Sequence, residues 1–276
     1  MKSFKRASTW DYLKNNTNVN NKEKSEKLER VKIKFPASKF LIFQSTIVSS
    51  VNLETTSNFL IDTLSNDYVN RNGECWSNES LKNNYKSFIG AYACLDHPDD
   101  PSQDNLGVIL DAVLRKRWTD KENGKYIYYC DILVAIERSD KNKNVVKNIA
   151  NNTIKYMSMG CNVKYSYCSK CGYEVDYVGT TSRFANECDH LKYSKGKRFV
   201  DGKGNERITA ELLGKDIGSV TFVEASVLSS APAFYGAALS RIYPLSTTAK
   251  FIEMEFPQSS IEKGAVKKYL TEKQSY

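Results

Sequence analysis

Four residues in the second half of the chain have the types and spacing of a metal-binding cluster. Two thiols separated by two residues occur in Cys168-Ser-Lys-Cys171-Gly, and Cys188-Asp-His190 follows. Three sulfurs and one imidazole form the tetrahedral ligand set that zinc prefers, and a set that fills all four positions leaves none open for catalysis. The sequence therefore predicts a structural zinc site. The alternatives are a redox pair of Cys168 and Cys171, or four unrelated loop residues.

The chain contains two histidines, His97 and His190. If His190 binds metal, His97 is the remaining side chain that exchanges a proton near neutral pH. It comes just after an apolar segment that ends at Leu95, and catalytic residues often emerge where a strand gives way to a loop. The alternative is a surface histidine in an acidic turn. We take His97 as the candidate general base.

A predicted strand over Tyr156–Cys161 offers a nucleophile. The alternation of a strand directs its two methionines to one face and Ser158 with Gly160 to the other. Burial of the methionines would then present a hydroxyl beside a bare backbone, where a substrate has access. Because a serine hydroxyl is a weak nucleophile, it must give up its proton to a base as it attacks, and His97 could accept it. The alternative is an ordinary strand serine.

A second predicted strand, Val220–Leu228, offers a carboxylate. Its alternation places Val223, Ala225 and Val227 on one face and Glu224 with Ser226 on the other. A carboxylate on that face could orient the imidazole and stabilise its charged form. Glu224 is the candidate for this role, and the alternative for it is a solvated charge. The rival third members are Asp96 and Asp131.

The cysteines outside the cluster give alternative nucleophiles and an indication of compartment. Cys94 and Cys161 carry thiols, but both lie in apolar strands, so we expect them to be core residues. Seven cysteines are an odd number in a chain that is long enough to fold without disulfides. We therefore expect free thiols in a reducing cytoplasm.

These candidate residues need a sheet to position them. Three segments dense in Val, Ile, Leu, Tyr and Cys, separated by turn-rich linkers, predict consecutive antiparallel strands. They are Phe88–Leu95, Leu106–Trp118 and Tyr126–Ile136. The apolar spacing of Asn144–Ile154 predicts a short helix, and the spacing near Phe59 favours another. The expected fold class is mainly β with flanking helices (α+β), built on an antiparallel sheet or barrel.

Composition divides the chain into four parts. Residues 1–36 are polar and basic and predict a mobile N-terminal arm. Residues 37–245 form the predicted barrel domain, and 165–215, rich in Cys, Gly and Lys, form the zinc-knuckle insertion within it. Residues 246–276 form a charged C-terminal tail.

Charge and hydropathy exclude several classes of protein. The 40 lysines and arginines against 32 acidic residues give a net charge of +8, which is spread along the chain. This favours acidic partners without requiring nucleic acid. No segment approaches the about 18 apolar residues of a membrane helix, and the N-terminus has no apolar signal core. We therefore expect neither secretion nor membrane insertion.

Five motifs occur in an order that is characteristic of one family. They are Gly90–His97, Leu106–Ala112, Tyr129–Val134, Ser158–Cys161, and Phe222–Val227 with the following Ala231-Pro232-Ala233. This order resembles the prohead maturation serine proteases of tailed bacteriophages. The resemblance covers about Phe88 to Ala238, and the cysteine-containing insertion is similar to one found in a branch of these proteins.

The resemblance implies a fold, an activity and a location. The fold would be the antiparallel β-barrel of the herpesvirus capsid-assembly proteases, ringed by helices. The activity would be cleavage of scaffold or core proteins and of the major capsid protein, inside the procapsid in the host cytoplasm. The family's histidine maps onto His97 and its serine onto Ser158, and Glu224 falls at the acidic position of the strand after the serine.

Three hypotheses follow. The first is a serine endopeptidase of procapsid maturation, with Ser158 as nucleophile, His97 as base, Glu224 as orienting group and self-cleavage of the arms as a further possibility. Its oxyanion hole would lie in the loop Ser229–Ala231. The second is a catalytically inactive capsid- or scaffold-associated protein that keeps the barrel and the zinc knuckle. The third, a zinc-ribbon nucleic-acid binder, requires a continuous basic face that includes Lys192, Lys195, Lys197, Arg198 and Lys203.

Overall fold

A computed structural model describes residues 30–51, 69–178, 186–232, 234, 237–243, 251–258 and 265–267. Short 3-10 turns occupy Ala37–Lys39 and Tyr85–Phe88. The α-helices whose bounds lie within these ranges are α1 (Asn78–Asn84), α2 (Lys143–Ala150) and α3 (Asp189–Ser194). The strands are β1 (Arg30–Pro36), β2 (Phe40–Val51), β3 (Glu74–Ser77), β4 (Tyr92–Leu95), β5 (Gly107–Asp120), β6 (Lys125–Glu137), β7 (Tyr156–Val163), β8 (Tyr165–Cys168), β9 (Glu174–Asp176), β10 (Arg198–Val200), β11 (Glu206–Ile208), β12 (Glu211–Leu213), β13 (Val220–Leu228), β14 (Ala238–Tyr243) and β15 (Phe251–Pro257).

Seven strands close into a barrel in the order β2, β6, β5, β4, β13, β7 and β14, and β14 pairs back onto β2. The prediction of a mainly β fold with few helices is therefore confirmed. Neighbouring strands are antiparallel, as predicted, except that β4 and β13 run parallel. This parallel pair places the end of β4 beside the end of β13, although the two strands are far apart in the sequence.

The three predicted strands on either side of His97 correspond to β4, β5 and β6. The first of them is shorter than predicted, because a 3-10 turn and Gly90, at φ 82°, come before β4. The predicted helix is α2, which ends at Ala150. The expected helix near Phe59 falls outside the described residues.

The main core consists of the inward side chains of the barrel strands and of the segments that cover one end. Phe88 stacks on Phe222 with ring centroids 3.9 Å apart, and Trp76 lies against the same ring. All three side chains are buried. Buried aromatic rings contribute a large apolar area, so this trio holds the α1 region against β13.

Two strands lie where the sequence predicted a mobile arm and a charged tail. β1 and β15 pair along their whole length, from Arg30 opposite Pro257 to Pro36 opposite Phe251. Ile33, Phe35, Met254 and Phe256 are buried in a second core cluster, while lysines and glutamates point outward and form ion pairs. The charged residues thus belong to the solvent face of a two-stranded sheet. Residues 1–29 lie outside the described residues.

The predicted insertion continues the barrel sheet. The last residues of β2 pair with β3, and the sheet then runs through β12, β8 and β9, while β10 and β11 form a separate hairpin. The insertion is therefore joined to the barrel by backbone hydrogen bonds. In the described part of the chain, no helix is both long and apolar enough to cross a bilayer.

A β-bulge changes the face assignment of β13. The pairing of β13 with β7 shifts between Phe222 and Glu224. Phe222, Ala225 and Val227 consequently belong to the main core, whereas Val223 is only partly buried. The predicted grouping of Val223 with the core face is wrong because a bulge interrupts the simple alternation of a strand. Glu224 is buried on the opposite face.

Candidate functional site

Three adjacent strands form the base of the candidate site. On β7 and β13, Ser158 lies opposite Ser226 and Gly160 lies opposite Glu224. On its other side, β13 pairs with β4, whose last residue precedes the loop that carries His97. The barrel thus brings together, from three separate segments, the three residues that the sequence proposed for catalysis.

The loop that carries His97 has an unusual backbone. Asp96 and His97 both adopt positive φ angles, 49° and 52°. Such a conformation is costly for residues other than glycine and persists only where the surroundings fix it. The Asp96 N–H donates to the Val227 carbonyl, and its carboxylate accepts hydrogen bonds from the N–H and hydroxyl of Ser229. The His97 N–H donates to the Ser226 hydroxyl oxygen at 3.2 Å.

His97 and Glu224 form a close carboxylate–imidazole pair. Nδ1 of His97 lies 2.6 Å from Oε1 of Glu224. The Glu224 side chain is buried, whereas 40% of the His97 side chain is exposed. The hydrogen bond to Glu224 raises the pKa of His97 above its ordinary value, and partial burial opposes that rise. The pair therefore favours a protonated imidazole, part of which remains exposed.

Ser226, which had no predicted role, and Gly160, which was predicted only to leave the backbone accessible, fix the position of Glu224. The Ser226 hydroxyl, fully buried, donates to Oε2 of Glu224 at 2.5 Å. Gly160 supports the carboxylate from β7, because a Cβ at this position would lie only 2.5 Å from Oε1. The close approach of Glu224 thus requires glycine at 160. The sequence contains both Gly160 and Glu224, but it does not give the strand register that places them opposite each other.

The rival residues have other partners or surroundings. Asp131 is buried in an ion pair with Arg115, at 2.8 Å, and also accepts a hydrogen bond from Thr46. Asp96 is engaged with the loop after β13, as described above. Cys94 is fully buried, and burial is the main cause that raises its pKa to about 12, so it is not a thiolate near neutral pH. Cys161 is partly buried and packs against the main core.

A cavity of about 810 Å³ opens over these residues. Its wall includes Ser158, His97 and the loop Ser229–Ala231, and its far side is formed by residues of β3 and of the insertion. Ser158 is 8% exposed, and within the described part of the chain no hydrogen bond joins its hydroxyl to the His97 imidazole. In enzymes without substrate, such bonds are often long and tighten when substrate binds.

The predicted metal ligands lie together at the tip of the insertion. One ligand atom from each of Cys168, Cys171, Cys188 and His190 can be chosen so that all lie within 4.8 Å of one another. The sulfurs of Cys171 and Cys188 are 3.6 Å apart, and all seven cysteines of the chain are free thiols. Nδ1 of His190 is buried and has no hydrogen-bond partner in the described structure.

The residues present fit a metal ion. An imidazole nitrogen buried without a partner costs free energy, and a metal bond there would satisfy it. Burial is the main cause that raises the pKa of Cys168 to about 12, so this thiol needs a cation beside it to ionise. A bound metal would supply that charge and cross-link the two halves of the insertion.

Two of the five basic residues expected in a nucleic-acid interface are in ion pairs. Lys195 makes an ion pair with Glu211, and Arg198 pairs with Glu206 at 3.2 Å. Lys197 donates a hydrogen bond to the backbone carbonyl of Tyr193. Part of the positive charge that a nucleic-acid interface would need is thus neutralised within the insertion.

Comparison with known proteins adds no relative. The chain matches no protein-family model, no curated protein and no solved structure.

Proposed function

We propose that the protein is a serine endopeptidase with Ser158 as nucleophile, His97 as general base and acid, and Glu224 as the group that orients His97. The observation that carries this proposal is the 2.6 Å contact between Nδ1 of His97 and the buried Glu224 carboxylate. An imidazole held in this way beside a cavity that also exposes a serine hydroxyl is the arrangement of a serine hydrolase.

The proposed reaction follows from these positions. The Ser158 hydroxyl oxygen attacks the carbonyl carbon of a peptide bond, and its proton passes to Nε2 of His97. Glu224 accepts the hydrogen bond from Nδ1–H and stabilises the imidazolium. His97 then gives the proton to the amine nitrogen as the peptide bond breaks, which leaves an acyl ester on Ser158. Water, deprotonated by His97, hydrolyses this ester and restores the free enzyme.

The oxyanion of the tetrahedral intermediate needs hydrogen-bond donors. The N–H of Ser229 is committed to Asp96, so it is not available for this purpose. Ser230 and Ala231 follow it on the cavity wall, and we assign the oxyanion hole to their backbone N–H groups. The sequence alone indicated the whole loop Ser229–Ala231, and the hydrogen bond of Ser229 to Asp96 limits the proposed donors to the other two residues.

The order of motifs supports a more specific role. We infer a barrel of the herpesvirus-protease type and a substrate set of scaffold or core proteins and the major capsid protein, cleaved inside a procapsid in the host cytoplasm. Support comes from the resemblance of the five motifs to phage prohead proteases. Self-cleavage of the terminal segments belongs to the same proposal.

We also propose that the metal of the Cys168–His190 cluster is zinc and that its role is structural. Three sulfurs and one imidazole suit zinc better than harder cations, and four protein ligands leave no open position. Metal analysis of protein purified under reducing conditions tests this assignment. One zinc per chain is expected, and its loss in Cys171→Ser would tie the ion to the cluster.

One observation favours the alternative of an inactive capsid- or scaffold-associated protein. The hydroxyl of Ser158 makes no hydrogen bond to His97 in the described structure. If that separation persists with substrate, the barrel serves binding alone.

Labelling with a small fluorophosphonate separates the two functions. The wild-type protein is expected to be labelled once, at Ser158. A separate, unlabelled sample incubated at neutral pH is expected to lose terminal peptides, as measured by intact mass. Ser158→Ala should show neither change, whereas Ser102→Ala, at an exposed turn serine, should behave as wild type. Equal labelling of wild type and Ser158→Ala, or no labelling of either, would exclude the proposed nucleophile.

A further inference from the structure

The metal cluster and the candidate active site are connected through one buried carboxylate. Glu211 on β12 is fully buried, and it lines the cavity that also contains Ser158 and His97. Two partners of its side chain come from the segments that carry the metal ligands. The Tyr177 hydroxyl donates to Oε1, and the Lys195 ammonium donates to Oε2.

The first connection runs through β8. Cys168 ends this strand and lies directly opposite Glu211 in the antiparallel pair β8–β12. Ser169, the next residue, binds the segment before Glu211 with both its N–H and its hydroxyl, which contact the carbonyls of Ala210 and Ile208. The backbone at Glu211 is therefore held by the first half of the metal knuckle on one side and by β3 on the other.

The second and third connections place the two side chains that donate hydrogen bonds to Glu211. Cys171 lies in the turn that leads into β9, and Tyr177 comes directly after this strand and also lines the cavity. His190 lies in the first turn of α3, and Lys195 follows the end of that helix. The Lys195 stem also packs on Gly73, where an added Cβ would meet its Cγ at 2.5 Å.

The residues proposed for chemistry depend on a different part of the fold. Ser158 and Glu224 lie on the barrel strands β7 and β13, and His97 follows β4. These strands are fixed by backbone pairing within the closed barrel. A metal bound at the cluster would therefore act on one wall of the cavity and not on the reacting groups.

We propose that metal binding to the Cys168–His190 cluster builds the peptide-binding wall formed by Tyr177, Glu211 and Leu213. This inference rests on the proposed protease function. Without the metal, β9 and α3 are held together by the small apolar cluster of Val175, Leu191 and Cys168, which is a weaker anchor. The two donors to Glu211, which a buried carboxylate requires, are then less firmly placed. The wall then loosens, substrate peptide binds more weakly, and the chemistry at Ser158 continues.

The test uses the full-length protein and two variants that act at different points. Cys171→Ser removes the exposed ligand and is expected to release the metal. Tyr177→Phe keeps the metal ligands and removes the hydroxyl that binds Glu211. Tyr173→Phe is the matched control, because Tyr173 lies in the same β8–β9 turn, is 50% exposed and does not line the cavity.

Three quantities are measured for each protein: metal content, the rate of fluorophosphonate labelling at Ser158, and KM and kcat for a peptide substrate. For Cys171→Ser we expect loss of metal, an increase of about tenfold in KM, and a labelling rate close to wild type. The tenfold change in KM corresponds to the loss of one charge-assisted contact. Tyr177→Phe should raise KM in the same direction with its metal retained, and Tyr173→Phe should change nothing.

Amide hydrogen exchange supplies a readout that needs no activity. Metal removal should increase exchange in β8, β9 and β12 and leave β4, β7 and β13 protected. Equal KM with and without metal, or loss of protection throughout the barrel, would overturn the inference. Absence of labelling in the native protein would instead reject the protease function and, with it, the substrate-binding role of the wall.

Discussion

Gly160→Ala should separate Glu224 from His97 without changing either residue. An added Cβ would lie 2.5 Å from Oε1 of Glu224 and 3.1 Å from its Cγ. Ordinary van der Waals contact begins at 3.4 Å, so the carboxylate oxygen must move by about 0.9 Å. Oε1 is the atom that binds Nδ1 of His97 at 2.6 Å. A displacement of this size away from position 160 disturbs the geometry of the bond to the imidazole.

The expected effect follows from the nature of the lost bond. A hydrogen bond to a charged group is worth about 1.5–3 kcal/mol. If that contribution stabilises the imidazolium in the transition state, kcat falls by about 10- to 100-fold, while KM changes little. The same loss removes the main cause that raises the pKa of His97. Burial remains and acts in the opposite direction, so the pKa should fall.

Nuclear magnetic resonance of the imidazoles measures this pKa independently of activity. The chain has two histidines, and a His190→Ala sample identifies the signals of His97. Gly202→Ala is the control, since a Cβ at Gly202 meets nothing within 4 Å. If Gly160→Ala leaves the pKa of His97 and the value of kcat unchanged, the carboxylate does not act on the imidazole as we argue.

Three further outcomes are expected. Because the base must be neutral to accept a proton, kcat/KM should rise with pH through a midpoint above 6.5, the ordinary pKa of histidine. Glu224→Gln should move that midpoint to lower pH, and a midpoint that does not move would contradict the role of Glu224. Phe222→Ala, which removes the ring stacked on Phe88, should reduce the free energy of unfolding in urea by about 3–5 kcal/mol, and a loss below about 1 kcal/mol would show that this ring is not central to the core. Iodoacetamide should modify the exposed Cys171 in metal-free protein and leave Cys94 unmodified until denaturation; rapid native alkylation of Cys94 would contradict its burial.

The sequence predicted the strands that have strong local signals. β5 and β6 are long segments of β-branched and apolar residues, and a turn-rich linker separates them. β1 and β15 were missed because every second residue is charged, and charge-rich terminal segments resemble solvated tails. Their alternation of apolar and charged residues is the pattern of a strand with one buried face, so the signal was present.

The candidate site was harder to predict, because it depends on register between distant strands. The residue types at 97, 158 and 224 were informative, but their meeting requires the parallel pairing of β13 with β4. A single sequence carries no local signal for a parallel pair formed by segments so far apart. The bulge after Phe222 and the hydrogen bonds of Ser226 likewise depend on tertiary contacts.

The pairing of β1 with β15 bears on what self-cleavage could remove. A protease takes its substrate as an extended segment that offers free backbone N–H and C=O groups. Between Arg30 and Pro36, and between Phe251 and Pro257, alternate backbone groups of each strand pair with the other strand, so neither segment is a free extended chain. Trimming would then proceed inward from each end and halt at this sheet. The smallest stable product would keep both strands, and its newly formed ends would lie side by side.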